Sequence, residues 1–167
     1  MMEFRKLTEA DETAFMDYYN EWPVPDEMVP SATNYSRYNR FDDFLSGLNQ
    51  RESGEDWVTN TTFFYFVGGR IVGAGNIRHY LNEALLQTGG HVGYGVRPSE
   101  RNKGYALAIL RTSLEYLKTL NVERALVTCD EDNPASAKVI IKAGGREGER
   151  YRQDDGMEVR RFWIELK

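Results

Sequence analysis

The first fifty residues carry two helical apolar patterns separated by a proline-rich interruption. Aromatic side chains recur at near-helical spacing after Thr8, which is typical of an N-cap, and the pattern ends at Trp22. From Pro23 to Arg40 no regular period is present. A loop of this length in a small domain is often functional, so we interpret the segment as a candidate substrate lid. A second helix is predicted from Phe41 to Arg51.

The middle of the chain changes to a strand pattern. Thr62 to Val67 is rich in aromatic residues, Gly68-Gly69 supplies a two-residue turn, and a second run extends from Ile71 to Tyr80. These features predict a β-hairpin. A connection from Leu81 to Thr88 leads to a third predicted strand, Gly89 to Val96.

The last third predicts two helices, a strand and a closing hairpin. Leucines three or four residues apart indicate a helix from about Lys103 to Leu120, and a short strand follows from Arg124 to Cys129. Asn133-Pro134 is typical of a helix start and Gly144 of a helix end. Two strands, Arg150 to Arg152 and Glu158 to Leu166, then flank the Asp154-Asp155-Gly156 turn.

The resulting order is β-α-α-β-β-β-α-β-α-β-β, with about seven strands and about four helices. We therefore expect an α/β fold of the α+β type, with a mixed, mostly antiparallel sheet, and not a doubly wound nucleotide fold. No repeat or linker is visible, so residues 1–167 are predicted to form one domain. Within it, residues 1–60 would supply substrate-side helices and the lid, and residues 61–167 the sheet and the main binding site.

Composition is that of an ordinary globular protein, with 41% hydrophobic and 28% charged residues. No apolar run approaches the roughly 20 residues that span a bilayer, so no membrane association is expected. The single cysteine, Cys129, excludes an internal disulfide framework and a CxxC metal cluster. We expect a reduced, cytoplasmic protein without a metal.

The charge is distributed unevenly along the chain. The net charge is −5, yet residues 1–60 contain thirteen Asp or Glu against five Lys or Arg. This acidity argues against nucleic-acid binding, which usually requires a basic face. An acidic first third joined to a mildly basic remainder could serve a cationic acceptor and an anionic cofactor, or could be no more than a solvated surface.

The junction between the third strand and the long helix is the strongest candidate for a binding site. After Val96 come a basic turn with Arg101 and Lys103 and then the small residues Gly104 and Ala106. The first amides of a helix lack internal partners and lie at the positive end of its dipole, which suits a phosphate or pyrophosphate. A short glycine motif alone is weak evidence, and neither a Walker A nor a Rossmann motif is present.

Two longer motifs strengthen the case. The pattern V-x-P-x-x-R-x-x-G-x-A runs from Val96 to Ala106, and N-x-x-S-x-x-V-x-x-K-x-G runs from Asn133 to Gly144. In register on the expected elements, they resemble the two halves of the acetyl-coenzyme A site of the GNAT superfamily of N-acetyltransferases. The N-x-x-S form is similar to that of ribosomal-protein N-terminal acetyltransferases. The block from Ile77 to Tyr94 also resembles a group of bacterial predicted acetyltransferases.

The resemblance implies the GNAT fold, acetyl-coenzyme A as co-substrate, and a set of cofactor contacts. The backbone at Val96 would pair with the pantetheine arm, and the amides from Asn102 to Ala106 would hold the pyrophosphate. Asn133 would bind the pantetheine region in addition to capping its helix, and Ser136 would lie near the thioester sulfur. The implied cofactor-binding residues are Val96, Arg101, Asn102, Lys103, Gly104, Tyr105, Ala106, Asn133 and Ser136.

The catalytic groups are less well defined, because the sequence departs from the family pattern. Many members have a catalytic tyrosine at the position of Ile140 and a catalytic glutamate at the position of Gly90. The candidate acids are therefore Ser136, Tyr94 or a water. The candidate bases are His91, for which a structural role is favoured over that of a base, and Glu83, which as an exposed loop residue is usually solvated.

The remaining candidates are an acyl relay and a substrate pocket. Cys129 is interpreted as a buried, inert thiol in preference to an acyl relay. The density of aromatic residues in the lid segment suggests that Trp22, Tyr35 and Tyr38 line a substrate pocket.

The resulting hypothesis is transfer of an acetyl group from acetyl-coenzyme A to a primary amine of a small cationic or amino compound. The alternatives are a protein N-terminal or lysine acetyltransferase, and a coenzyme A-binding sensor without catalysis. Exposed β-edges in the closing hairpin would permit a homodimer.

Overall fold

The chain forms two four-stranded antiparallel sheets flanked by five α-helices, in a computed structural model that describes residues 1–167. The strands are β1 (Met2–Arg5), β2 (Asn60–Val67), β3 (Arg70–Arg78), β4 (Val92–Val96), β5 (Arg124–Asp130), β6 (Arg146–Glu147), β7 (Tyr151–Arg152) and β8 (Glu158–Glu165). The helices are α1 (Glu12–Glu21), α2 (Phe41–Gln50), α3 (Glu83–Gln87), α4 (Tyr105–Thr119) and α5 (Pro134–Lys142).

The first sheet has the order β1-β2-β3-β4. Gly68 and Gly69 both have positive φ, as the predicted two-residue hairpin turn requires, and β2 and β3 pair along their length. One face of the sheet packs on α1 and α2 through an aromatic cluster. That cluster contains Phe15, Tyr18, Trp22, Phe41, Phe44, Phe64 and Phe66.

The second sheet has the order β5-β8-β6, with β7 also paired to β8. A core of thirteen buried residues joins it to the first sheet through α4 and α5. Leu110 and Leu117 of α4 share this core with Ile77 of the first sheet and Phe162 of the second. The apolar face of α4, which the leucine spacing predicts, therefore packs between the two sheets.

The observed elements confirm the predicted fold class, with three differences in detail. The sheet is divided in two, the strands number eight because β6 was not predicted, and the helices number five. The additional helix, α3, lies in the predicted connection and has five residues, too few for a helical period. Asn82 caps it by accepting a hydrogen bond from the amide of Leu85 at 2.8 Å.

Two predicted boundaries also move. The segment Gly89–His91 precedes β4 and is not part of it, because Gly89 and Gly90 have φ values of 99° and 61°. Helix α4 begins at Tyr105 since Gly104 has φ 86°. No helix of the chain combines the length and apolarity that a membrane crossing needs.

The proposed lid segment is ordered and packed. It contains two short 3₁₀ turns, Pro25–Glu27 and Ser31–Thr33, and Met28 and Thr33 are buried. A Cβ built on Gly95 of β4 would lie 2.2 Å from the carbonyl oxygen of Val29, so this segment covers β4 on the α1 side of the sheet. The lid segment, α1 and α2 thus cover one face of the first sheet, including β4 at its edge.

Candidate functional site

The basic turn before α4 is exposed and open. Asn102 and Gly104 adopt positive φ values of 65° and 86°, and the residues from Arg101 to Gly104 are exposed. A Cβ added to Gly104 would meet no atom within 4 Å, so the space beside it is free. The first amides of α4 have no intrahelical acceptor. The turn therefore offers the unpaired donors and the open approach that an anionic phosphate needs.

A buried arginine anchors this turn to α1. Arg97 is 2% exposed, and its guanidinium donates hydrogen bonds to Glu21 at 2.9 Å, Asp17 at 3.0 Å and the carbonyl of Ile71 at 3.0 Å. Glu21 also accepts hydrogen bonds from the Ser99 amide at 2.6 Å and the Ser99 hydroxyl at 2.8 Å. Burial acts to raise the pKa of Glu21, but the hydrogen bonds from Ser99 and Arg97 outweigh it and lower that pKa. Glu21 is thus an ionised link between α1 and the start of the turn.

The two basic side chains of the turn are partly engaged within the protein. The guanidinium of Arg101 lies 5.5 Å from the centre of the Trp22 ring, and its Nε donates to the Val96 carbonyl at 3.2 Å. Lys103 donates to Glu100 at 2.9 Å. Arg101 therefore lies over the end of β4, where the sequence placed the pantetheine contact. Trp22 is buried in the aromatic cluster, and its ring supports Arg101.

The two sheets meet through His91 and Gly89, whose amide donates to the Thr128 hydroxyl of β5 at 3.1 Å, and strands β4 and β5 are not paired with each other. Strand β4 pairs with β3 only, and β5 pairs with β8 only. At the junction the His91 amide donates to the Leu126 carbonyl at 2.7 Å, and the Leu126 amide donates to Nδ1 of His91 at 2.9 Å. Beyond these bonds the facing edge of β4 has no strand partner, which leaves its backbone available to an extended ligand.

Tyr94 and Ser136 come together across the two sheets. Tyr94 lies on β4 and Ser136 on the first turn of α5, and their hydroxyl oxygens are 3.1 Å apart. Asn133 caps α5 by accepting from the Ser136 amide at 3.1 Å, which leaves its side-chain NH₂ without a partner. Burial raises the pKa of Tyr94, although the hydrogen bond with Ser136 acts in the opposite direction. The phenol is therefore protonated and can donate a proton. The sequence analysis includes Tyr94 among the candidate acids.

The geometry of His91 leaves no free lone pair for a base. The side chain is 5% exposed, and Nδ1 accepts the Leu126 amide, so the proton of the neutral ring is on Nε2. Burial and the nearby charge of Arg78 lower the pKa of His91 to about 4. The expectation that His91 is a base is corrected on these grounds: its role here is to join the sheets.

Two other candidates form no hydrogen bond with Tyr94 or Ser136, although Tyr94 packs against the buried core that contains Cys129. Glu83 is the first residue of α3, is exposed, and makes no hydrogen bond or ion pair with either hydroxyl. Cys129 is 8% exposed, and burial raises the pKa of its thiol. A buried, protonated thiol agrees with the interpretation of Cys129 as inert.

The face of the first sheet that packs on α2 and the lid segment carries a polar cavity of about 460 Å³. Its lining includes Tyr38 of the lid segment, Trp57, Arg51 and the side chains of Asn60 and Asn76, which are hydrogen bonded to each other at 2.8 Å. Neither Asp nor Glu lines it. Tyr35 and Tyr38 both pack against the aromatic cluster, and of the two only Tyr38 lines this cavity.

Sequence reasoning missed the two arginines that organise this region, Arg97 and Arg78. One signal for Arg97 was available, because Asp17 and Glu21 are four residues apart on α1 and no basic residue lies within that helix. Such a pair needs a cation from elsewhere in the chain. Arg78 gave no signal, since an arginine at a strand end is ordinarily solvated.

Comparison with known proteins identifies the family and the fold. The family model described as an acetyltransferase (GNAT) domain matches residues 2–146. An uncharacterized N-acetyltransferase, YnaD of Bacillus subtilis (strain 168), is 38% identical over 56 residues. That match spans 33% of this chain and 33% of the length of YnaD.

Solved structures share the fold at low sequence identity. A putative acetyltransferase from Salmonella typhimurium, yncA with its cofactor acetyl-CoA, has a TM-score of 0.67 at 16% identity, covering 99% of this chain and 94% of its own. A chimera of the spermidine N-acetyltransferase SpeG from Vibrio cholerae and hSSAT has a TM-score of 0.68 at 17% identity, with coverages of 99% and 95%. The ribosomal-protein-S18-alanine N-acetyltransferase of Escherichia coli has a TM-score of 0.59 at 13% identity, with coverages of 100% and 95%.

Proposed function

The chain belongs to the GNAT acetyltransferase family, and from this premise we propose that it transfers the acetyl group of acetyl-coenzyme A to a primary amine. The observation that carries the proposal is the open turn from Arg101 to Gly104, which a buried arginine fixes beside the free edge of β4. The two family motifs lie on these elements and on the first turn of α5.

The residues of the turn and of α5 fit the co-substrate. The amides from Asn102 to Ala106 would hold the pyrophosphate, and the open side of Gly104 admits it without a clash. The edge of β4 at Val96 would pair with the amide-bearing pantetheine arm, and the free NH₂ of Asn133 would donate to it. Arg101, Lys103 and Tyr105 would complete the set around the phosphates. Acetyl-coenzyme A supplies the activated acetyl thioester.

In this proposal Tyr94 acts as the general acid, supported by Ser136. The amine nitrogen attacks the thioester carbonyl carbon, the carbon–sulfur bond breaks, and the leaving sulfur takes a proton. The Tyr94 phenol is protonated at neutral pH, because burial raises its pKa, and Ser136 holds its oxygen at 3.1 Å. We place neither His91 nor Glu83 in this step.

No side chain is assigned as the base. The amine therefore has to arrive in its neutral form. After attack it releases one proton to water, and water returns one proton to the Tyr94 phenolate. Holding the two reactants together can contribute several kcal/mol, roughly 7–11 kcal/mol for well-oriented pairs, so acid–base catalysis need not be large.

We propose a small amine as the acceptor. Residues of the packed lid segment line the polar cavity, which favours a compact substrate over an extended peptide. The N-x-x-S motif at Asn133 keeps a peptide N-terminus as the second candidate, and peptides therefore belong in the acceptor panel.

A thiol-release assay tests the proposal with acetyl-coenzyme A and a panel of amino acids, polyamines, aminoglycosides and short peptides. Gly104→Trp is compared with Gly156→Trp. Both glycines have similar positive φ, 86° and 89°, and neither has an atom within 4 Å of a built Cβ, so the two changes match in strain and space. We expect thiol release with one amine class, lost in Gly104→Trp and kept in Gly156→Trp. Binding of acetyl-coenzyme A without turnover of any amine would favour a sensor, and absence of binding would refute the proposal.

A further inference from the structure

Arg78 has donors that the protein does not use. It is the last residue of β3, and its Nη1 donates to the carbonyls of Gly89 at 3.0 Å and Gly90 at 3.4 Å. Nε and Nη2 make no hydrogen bond within the chain, and no carboxylate forms an ion pair with this guanidinium. The side chain is partly buried, and burial lowers the pKa of Arg78.

Arg97, the buried arginine of the site, differs from Arg78 in having carboxylate partners. Arg97 is paired with both Asp17 and Glu21. The unused donors of Arg78 are not among the fully buried unpaired atoms, so a ligand can reach them, and a planar guanidinium is best satisfied by a carboxylate or phosphate. The free edge of Arg78 is therefore suited to an anion that the chain itself does not provide.

The guanidinium lies directly against β4, on the side of the polar cavity. A Cβ built on Gly93 would be 3.2 Å from Nη2 of Arg78. Because neighbouring strand residues face opposite sides, Arg78 and the Tyr94 hydroxyl lie on opposite faces of β4. Asn60, which pairs with Arg78 across β2 and β3, lines the cavity. Arg78 therefore lies on the same face of the sheet as the cavity, next to β4, although it is not itself a lining residue.

The charge at the cavity is positive, whereas the first third of the sequence is acidic. Much of the acidic first third is neutralised within the fold, for example Asp11 by Arg5, Glu21 by Arg97 and Glu52 by Lys6. At the cavity itself Arg51 is the one charged lining residue, and it forms no ion pair.

We propose that the acceptor carries a carboxylate in addition to its primary amine, and that Arg78 binds this carboxylate. The proposal rests on the acetyl transfer proposed above and specifies its substrate class. It replaces the cationic acceptor suggested by the charge distribution of the sequence with an amino acid or a short peptide bound through its terminal carboxylate. Arg78 is a specificity-determining residue and takes no part in the proton transfers.

Matched acceptors test this proposal. Amino acids are compared with their carboxamides, which retain the amine and lose the carboxylate charge, in wild type, Arg78→Gln and Arg78→Lys. Every kcat/KM is expressed per concentration of neutral amine, because the amine of the carboxamide has the lower pKa and the reaction uses the neutral form. For wild type we expect kcat/KM to favour the carboxylate by about 10-fold or more, as for a charge-assisted hydrogen bond. In Arg78→Gln the ratio should fall to near one, and in Arg78→Lys it should stay intermediate. Arg152→Gln, on an exposed arginine of β7, should keep the wild-type ratio.

A comparison of free amino acids with dipeptides shows whether the bound carboxylate belongs to a free amino acid or to the C-terminus of a short peptide. Equal rates for carboxylate and carboxamide in wild type, or an unchanged ratio in Arg78→Gln, would overturn the proposal. A variant that loses activity toward both acceptors equally would indicate that Arg78 only supports the Gly89-Gly90 segment.

A binding experiment separates this proposal from the proposed reaction. The Nε–H NMR resonance of Arg78, assigned by its loss in Arg78→Lys, is followed while a free amino acid and then its carboxamide are added in the presence of coenzyme A. A shift with the carboxylate alone supports the subsite even when no acceptor is turned over. Absence of a shift with every carboxylate tested refutes it, whatever the outcome of the thiol-release assay.

Discussion

At the scale of single residues, Tyr94 is the group on which the proposed chemistry depends most. Tyr94→Phe keeps the ring and removes the hydroxyl that pairs with Ser136. Loss of a general acid typically lowers kcat by about 100-fold or more, and we expect this with little change in KM for acetyl-coenzyme A. Because the pKa of Tyr94 is raised above 10, activity should not decline on the alkaline side below that pH.

Steady-state kinetics from pH 6 to 10 measure both effects. Tyr80→Phe is the control, since Tyr80 is 51% exposed and follows β3. A decrease in kcat of less than about threefold in Tyr94→Phe would mean that water protonates the leaving sulfur.

The second prediction concerns the effect of His91 on the pH dependence of the free energy of unfolding. Its folded pKa of about 4 lies below the ordinary value of 6.5, so the unfolded chain binds a proton where the folded chain does not. The stabilisation is complete above pH 6.5 and is lost as the pH falls from 6.5 to 4. The free energy of unfolding should decrease by up to about 3 kcal/mol over this interval because of His91 alone.

Urea unfolding of wild type and His91→Asn across this range isolates the contribution. Asparagine can still accept the Leu126 amide but does not titrate, so the difference between the two proteins should shrink as the pH falls. A constant difference from pH 7 to 4 would show that the protonation of His91 is not linked to folding.

At the scale of secondary-structure elements, the connection between α1 and the turn before α4 is the feature to test. Asp17 and Glu21 both contact Arg97, but only Glu21 also accepts hydrogen bonds from Ser99. Glu21→Gln and Asp17→Asn are therefore matched changes on one helix. We expect Glu21→Gln to raise KM for acetyl-coenzyme A by about 10-fold or more, with a smaller effect on kcat, since a hydrogen bond to a charged group contributes about 1.5–3 kcal/mol.

Asp17→Asn should change KM much less, because Asp17 is 60% exposed and its charge is screened by solvent. Isothermal titration with coenzyme A gives the affinities directly. Equal effects of the two variants would mean that the turn does not depend on Glu21.

The elements themselves were largely predictable from the sequence. The leucine spacing of α4, the glycine pair between β2 and β3 and the Asn133-Pro134 start of α5 are local signals, and the structure confirms each element. The partners of Arg97 were not predictable, because they lie 76 and 80 residues away in the chain. The Tyr94–Ser136 contact likewise depends on how the two sheets are placed, and it spans 42 residues.

At the scale of the whole molecule, the two sheets share one core, and we propose that residues 1–167 behave as a single domain. Ile77 and Val92 of the first sheet, Leu110 of α4 and Phe162 of the second sheet belong to the same buried cluster. The proposed co-substrate site uses both sheets as well, since Val96 belongs to the first and α5 packs on the second. Binding at this site should therefore protect amides on both sides of the junction between the sheets from hydrogen exchange.

Hydrogen exchange with and without acetyl-coenzyme A measures this coupling. We expect added protection at the amides of 92–96, 102–106 and 133–136 together, because one extended ligand would contact all three segments. At a concentration 100 times its Kd the ligand should stabilise the folded chain by about 2.7 kcal/mol, so global exchange should slow as well. Adenosine 3′,5′-bisphosphate, which has phosphates but no pantetheine arm, is the control and should protect 102–106 alone. If acetyl-coenzyme A gave only this restricted pattern, the ligand would bind the turn without entering the space between β4 and β5, and the proposed placement of the thioester near Tyr94 and Ser136 would be refuted.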